Sequence, residues 1–167
     1  MSAKDTVRKI FNFLHLDVTK NLKYDRLTQK IIQQTISEDS NCIDVGCHKG
    51  EILDVILKKA SQGKHFAFEP IPSFYADLKA KYSDEATIFP YALSNEVGQT
   101  TFHYVKNAPA YSGINQREYK VKTPDIEKVS CKALYPRQRL CCYIFSTVRK
   151  YIIRTSFNEH SKIMSAI

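Results

Sequence analysis

Asn41-Cys42-Ile43-Asp44-Val45-Gly46-Cys47-His48-Lys49-Gly50-Glu51 is the stretch whose reading decides the fold. The apolar run at 42–45 reads as a short buried strand, and Gly46 ends it. Gly50 opens an amphipathic helix over 51–60, with Ile52, Val55 and Ile56 on one face. About twenty residues further on, His65-Phe66-Ala67-Phe68 forms a second apolar strand that ends on Glu69. A glycine turn between strand and helix, with a carboxylate at the tip of the next strand, describes a site for a nucleoside-bearing cofactor.

Working outward, the alternation continues. Ser61-Gln62-Gly63-Lys64 should stop the first helix, with the glycine just past its end. Pro70 and Pro72 punctuate, and the stretch 73–82 predicts a second helix using Phe74, Tyr75 and Leu78. Residues 86–93 read as a third strand, so β-α-β-α-β implies a parallel sheet. Ser94 to Gly98 is a turn, and 100–105 alternates like an edge strand. One more short strand is expected within 121–131, and 148–153 is compatible with a helix. Upstream, Val7, Ile10, Phe11 and Leu14 set one helical period, and Tyr24, Leu27, Ile31 and Ile32 a second.

The chemistry of the turn narrows the ligand. A dinucleotide site carries three glycines so that the backbone can approach a pyrophosphate. Here Asp44 stands at the first glycine position, where a carboxylate would repel that doubly anionic group. It suits a ligand that presents an ammonium, and S-adenosylmethionine combines such a group with a ribose and an adenine. On this reading Asp44 meets the amino group, Gly46 lets the turn pass close under the ligand, and Gly50 relieves crowding at the helix start. Glu69 accepts hydrogen bonds from the ribose hydroxyls, and adenine rests near Tyr91 and Ala92.

Three blocks then carry a family resemblance: Ile43 to Glu51, Ala67-Phe68-Glu69-Pro70-Ile71-Pro72, and Ala92-Leu93-Ser94-Asn95 with Gly98. Together they resemble the FkbM family of S-adenosylmethionine-dependent methyltransferases over roughly residues 38–131. Tyr111-Ser112-Gly113 is a weaker match to a serine-containing loop of that family. The resemblance implies an α/β, Rossmann-like class I methyltransferase fold and O-methylation of a hydroxyl on a sugar, glycan or other small metabolite. The family continues into a Lys-Ile-Asp-Val-Glu-Gly-like strand and helix, which nothing in 132–167 matches. The expectation is therefore a sheet truncated after its third parallel strand and an extra strand or hairpin. The organisation expected is 1–131 as N-terminal helices plus cofactor-binding portion, and 132–167 as a basic tail. Two readings follow: an active methyltransferase, or a non-catalytic remnant that binds cofactor weakly or needs a partner. An uncovered first strand would also invite self-association. His103, His48 and Glu51 are candidates for a general base by residue type alone.

Composition bounds these readings. The formal charge is +8, but residues 132–167 hold seven Lys/Arg against Glu159 alone, so the basicity belongs to the tail. No recognised nucleic-acid module accompanies it, although Tyr135, Tyr143, Phe145 and Tyr151 lie among its basic residues. The five cysteines form no C-x-x-C pair, so no metal site is expected and free thiols fit a reducing compartment. No run approaches the roughly 20 apolar residues of a membrane span, and the N-terminus lacks a signal-peptide core, which gives a cytoplasmic expectation.

Overall fold

The computed structural model describes residues 20–116, 118, 123–135 and 151–154. The first helical period, at 7–16, lies outside these residues. The chain divides into two compact units, Met1–Ile36 and Ser37–Ile167. In the first unit, helix α1 spans Lys20–Thr35, where the second helical period was expected. Ile32 is buried in it, while Leu27 and Ile31 are exposed.

The second unit is built on a parallel sheet. Its strands are β1 (Cys42–Val45), β2 (His65–Phe68), β3 (Thr87–Phe89) and, from the tail, Tyr151–Arg154, labelled β7. The spatial order is β3-β2-β1-β7, and every pairing is parallel. The order 3-2-1, with a further parallel strand on the outer edge of β1, is that of an open, Rossmann-like α/β sheet. Two expectations are corrected here. The parallel sheet does not stop at three strands, because β7 pairs with the outer edge of β1, Cys42 opposite Tyr151 and Val45 opposite Arg154. The stretch compatible with a helix at 148–153 contributes this strand instead, as β-branched Ile152 and Ile153 favour an extended backbone beside β1.

Helix α2 (Glu51–Lys59) follows β1 and helix α3 (Pro72–Lys81) follows β2. Acids Glu51 and Asp54 open α2, and Lys58 and Lys59 close it, so charge opposes the helix dipole at both ends. Pro72 occupies the first turn of α3, where its missing N–H costs nothing. The strand period of two sorts the sheet into two faces. Ala67 and Ile88 point to the side of Leu53, Leu78 and Tyr82, with Leu57 and Tyr75 packed around them. Ile43, Phe66 and Phe68 point to the other side, with Val45, Phe89, Tyr91, Leu93 and Leu134. Both faces are covered, which explains why the strands read as unbroken apolar runs. The buried stripe of α2 centres on Leu53 and Ile56, one step round from the expected Ile52, Val55 and Ile56.

The single strand expected over 86–93 is two. Pro90 has no N–H to give a ladder, so β3 ends before it and β4 (Tyr91–Leu93) starts a second sheet. That sheet has the order β4-β6-β5, with β5 spanning Gly98–Val105 and β6 Ile126–Leu134. β5 and β6 pair antiparallel over eight residue pairs, so β6 is longer than the short strand expected.

Gly63 does not close α2 as a left-handed cap; the helix ends at Ala60, and Gly63 donates its N–H to Ala60 O. Its purpose is close approach, because a Cβ there would lie 1.9 Å from Ser40 O. Backbone cannot yield as a side chain can. Gly63→Ala should therefore destabilise the chain by about 1–3 kcal/mol, as overpacking does. A lower urea midpoint with an unchanged slope would show it, and an unchanged midpoint would refute it.

Candidate functional site

The turn between β1 and α2 is wound tightly. Gly46 and Gly50 both sit at φ 79°, and His48 between them at φ 52°. The N–H groups of Gly46 and Cys47 both reach Phe68 O, at 2.9 and 3.2 Å, which binds the turn to the end of β2. Gly50 N–H closes back onto Cys47 O at 2.8 Å. A left-handed backbone at a non-glycine residue such as His48 costs on the order of 1–3 kcal/mol unless its surroundings hold it.

Glu69 stands at the tip of β2 and is 3% exposed. Its Oε2 accepts the N–H of His48 at 2.8 Å, and its Oε1 the N–H of Ile71 at 2.9 Å. Its own N–H donates to Phe89 O at 3.0 Å, which brings the end of β3 alongside. Burial pushes its carboxyl up to about 7; the two backbone donors pull it down, and nearby Asp44 adds a further rise.

Asp44 is completely buried. It alternates with Ile43 and Val45, which face the aromatic side, and it receives a hydrogen bond from the Cys47 thiol. Burial first, and then Asp44, drives the Cys47 thiol far up, so Cys47 stays protonated. Burial likewise raises Cys42, to about 12. These thiols are inert packing groups.

Gly50 serves α3. A Cβ there would come 2.3 Å from the Tyr82 hydroxyl. That hydroxyl lies 3.0 Å from Gly50 O and 2.7 Å from Asp54 Oδ1, and it accepts from Lys81 Nζ at 2.7 Å. The expected relief of crowding is thus relief of one particular ring. Among the expected site residues, Asp44, Gly46, Gly50 and Glu69 come together around the turn. Tyr91 and Ala92 belong to β4, at the start of the second sheet. The Tyr91 ring stacks on Phe89 at 6.2 Å within the aromatic cluster, and Ala92 is buried.

Sequence reasoning missed three contributors. His48 supplies the N–H that holds Glu69, and its positive φ has no signature in a motif that records only glycines. Tyr82 was the last residue of an expected helix, with nothing to mark its hydroxyl. Cys131 of β6 lies close enough for Glu69 to raise its thiol, after burial. Of the candidate bases, Glu51 is exposed and His103 is pinned by its backbone to Gly113 and by Nδ1 to Ile114 O, at 3.1 Å. Ser112 caps the second sheet, its Oγ accepting the N–H of Val105 at 3.0 Å. A cleft of about 210 Å³ opens beside the turn, lined by His48, Lys49, Phe74, Asp77, Leu78 and Lys81. Among the described residues no group of three His, Cys, Asp or Glu could hold a metal ion, and no helix is long and apolar enough to cross a membrane.

No known protein family matches the sequence, and no curated protein matches it. Among solved structures, the chain is similar to the 23S rRNA methyltransferase ErmE, at 12% identity and a TM-score of 0.34, over 41% of this chain and 33% of that one. It is similar to a protein assigned as an rRNA methylase from Clostridium thermocellum, at 10% identity and a TM-score of 0.36, over 65% and 95%. It is also similar to the O-MT portion of StiE, at 9% identity and a TM-score of 0.34, over 58% and 52%. The chain thus spans a third of the first of these proteins and about half of the last.

The burial of Glu69 gives a testable pH signature. Its carboxyl is raised from an ordinary 4.5 to about 7, so its contribution to stability is fully present below 4.5 and lost as the pH climbs to about 7. Glu69→Gln has one acceptor oxygen for two N–H donors and should cost about 1–3 kcal/mol. In urea unfolding, the gap between wild type and Glu69→Gln should be wider at pH 5 than at pH 8. A gap that widens with pH would contradict the assignment.

Proposed function

We propose that the chain is an S-adenosylmethionine-dependent methyltransferase whose acceptor is a hydroxyl on a sugar or other small metabolite. The observation that carries this reading is the Glu69 carboxylate, held at the tip of β2 against the left-handed turn that follows β1. In an open sheet of this strand order, ligands bind outside the carboxyl ends of the strands. The residues fit such a cofactor in kind. Each Glu69 oxygen takes one N–H and keeps a second acceptor position for a ribose hydroxyl. Asp44 and Glu69 put two carboxylates in one place, which suits a cationic ligand and repels a pyrophosphate.

On this reading Asp44 holds the cofactor's amino group, directly or through water, and Glu69 its ribose. Gly46 lets the turn lie close beneath it, and Tyr91 and Ala92 border the adenine. The cofactor supplies a methyl group already activated on a sulfonium, so the protein's main task is alignment. The FkbM-like blocks support a hydroxyl acceptor. A cytoplasmic setting, with no membrane or nucleic-acid partner, completes the proposal.

The second reading, a remnant that binds cofactor weakly or needs a partner, is favoured by one observation. Asp44 is 0% and Glu69 3% exposed, so a ligand must find both carboxylates nearly sealed. Calorimetry separates the two. The methyltransferase reading expects micromolar S-adenosylhomocysteine binding, tighter at pH 8 than at pH 6 because Glu69 ionises near 7. Asp44→Ala and Glu69→Ala, checked for folding by circular dichroism, should each weaken it by about tenfold or more, as the loss of a charged hydrogen-bond partner does. Absence of heat at millimolar ligand would support the remnant.

A further inference from the structure

His48 is the one residue other than glycine that the described chain holds at positive φ. Glycine would take that conformation freely, so a histidine there needs contacts that offset the strain. Its ring meets Phe74 of α3 edge-on, with centroids 4.3 Å apart and planes at 62°. Phe74 in turn meets Tyr104 of β5 edge-on at 5.7 Å, so the seat for the His48 ring is itself braced. Edge-to-face pairs of this kind are favourable beyond the area they bury. The backbone N–H of the same residue donates to Glu69 Oε2 at 2.8 Å. One residue therefore connects the wall of α3 to the carboxylate at the tip of β2.

We propose that His48 is a positioning residue, its ring seated on Phe74 so that its amide aims the Glu69 carboxylate at the ribose hydroxyls. The proposal rests on the cofactor reading above for its functional meaning. It gives the turn a reason to carry a histidine between two glycines. The ring does not touch the reacting atoms in this role. It sets the backbone, and the backbone sets the acid. The other titratable groups that act on Glu69 or on which Glu69 acts are Asp44 of β1, the Cys47 thiol on the turn and the Cys131 thiol of β6. Phe74→Leu keeps the imidazole, so it separates the loss of the ring's seat from the loss of the ring itself.

The test is carboxyl-detected NMR titration of Glu69 in the full chain, compared among wild type, His48→Gly and Phe74→Leu. His48→Gly removes the ring but keeps the N–H and tolerates the φ; Phe74→Leu removes the seat and leaves the histidine. Loosening a donor that favours the ionised acid should move the Glu69 midpoint up from about 7. The expected rise is roughly half a unit in both variants, with about a threefold loss of S-adenosylhomocysteine affinity at pH 7. An unchanged midpoint in His48→Gly overturns the proposal, whatever happens to the melting temperature, because a merely structural ring would alter stability alone. A wild type that takes up no S-adenosylhomocysteine overturns the cofactor reading instead, and the midpoint still decides whether His48 aims Glu69.

Discussion

The carboxylate of Glu69 is the point through which the tip of the parallel sheet is tied together. Two backbone amides converge on it, from His48 in the turn after β1 and from Ile71 at the entry to α3. Removing either donor strips a buried carboxylate oxygen of its partner, and replacing the acid with a group that accepts at only one atom leaves an N–H without one; such an omission costs more than a hydrogen bond usually contributes. The arrangement also explains why an acid can be buried here at all. The two donors favour its ionised form, burial and Asp44 oppose it, and the balance falls close to neutrality.

A second tie works from the helical side of the sheet. The Tyr82 hydroxyl fills the space that a side chain on Gly50 would need, and it meets Asp54 and Lys81 at the same spot. The start of α2 is thereby fixed to the end of α3. Gly50 in the motif and Tyr82, more than thirty positions later, are two halves of one contact. The turn is thus held from both directions, by Glu69 through His48 and by Tyr82 through Gly50. A strained backbone persists only where its surroundings over-determine it, and this turn meets that condition.

Much of the parallel sheet was legible because short apolar runs, glycines and prolines punctuate it plainly. Cys42 to Val45 and His65 to Phe68 are four-residue apolar runs bounded by turn residues, which favours buried strands, and both are strands. Pro90 was visible too, but its consequence was not, since a proline only says that a ladder is interrupted. Whether the chain then rejoins the same sheet or starts another depends on β6, forty residues away, which pairs with β4. The strand at Tyr151–Arg154 escaped for a similar reason: its partner β1 lies more than a hundred residues back, and its own composition mixes arginine with isoleucine. At the site, the carboxylates were readable as residue types. That the Glu69 oxygens face backbone amides, and that His48 provides one of the donors, followed only from three-dimensional placement.

The turn bound to Glu69 is the proposed seat of a nucleoside-bearing cofactor. Backbone amide NMR during titration with S-adenosylhomocysteine tests it most directly. The amides of Gly46, His48 and Ile71 should shift together and saturate with a single dissociation constant. A titration that leaves these three unmoved, or that moves only residues remote from the tips of β1 and β2, would contradict it.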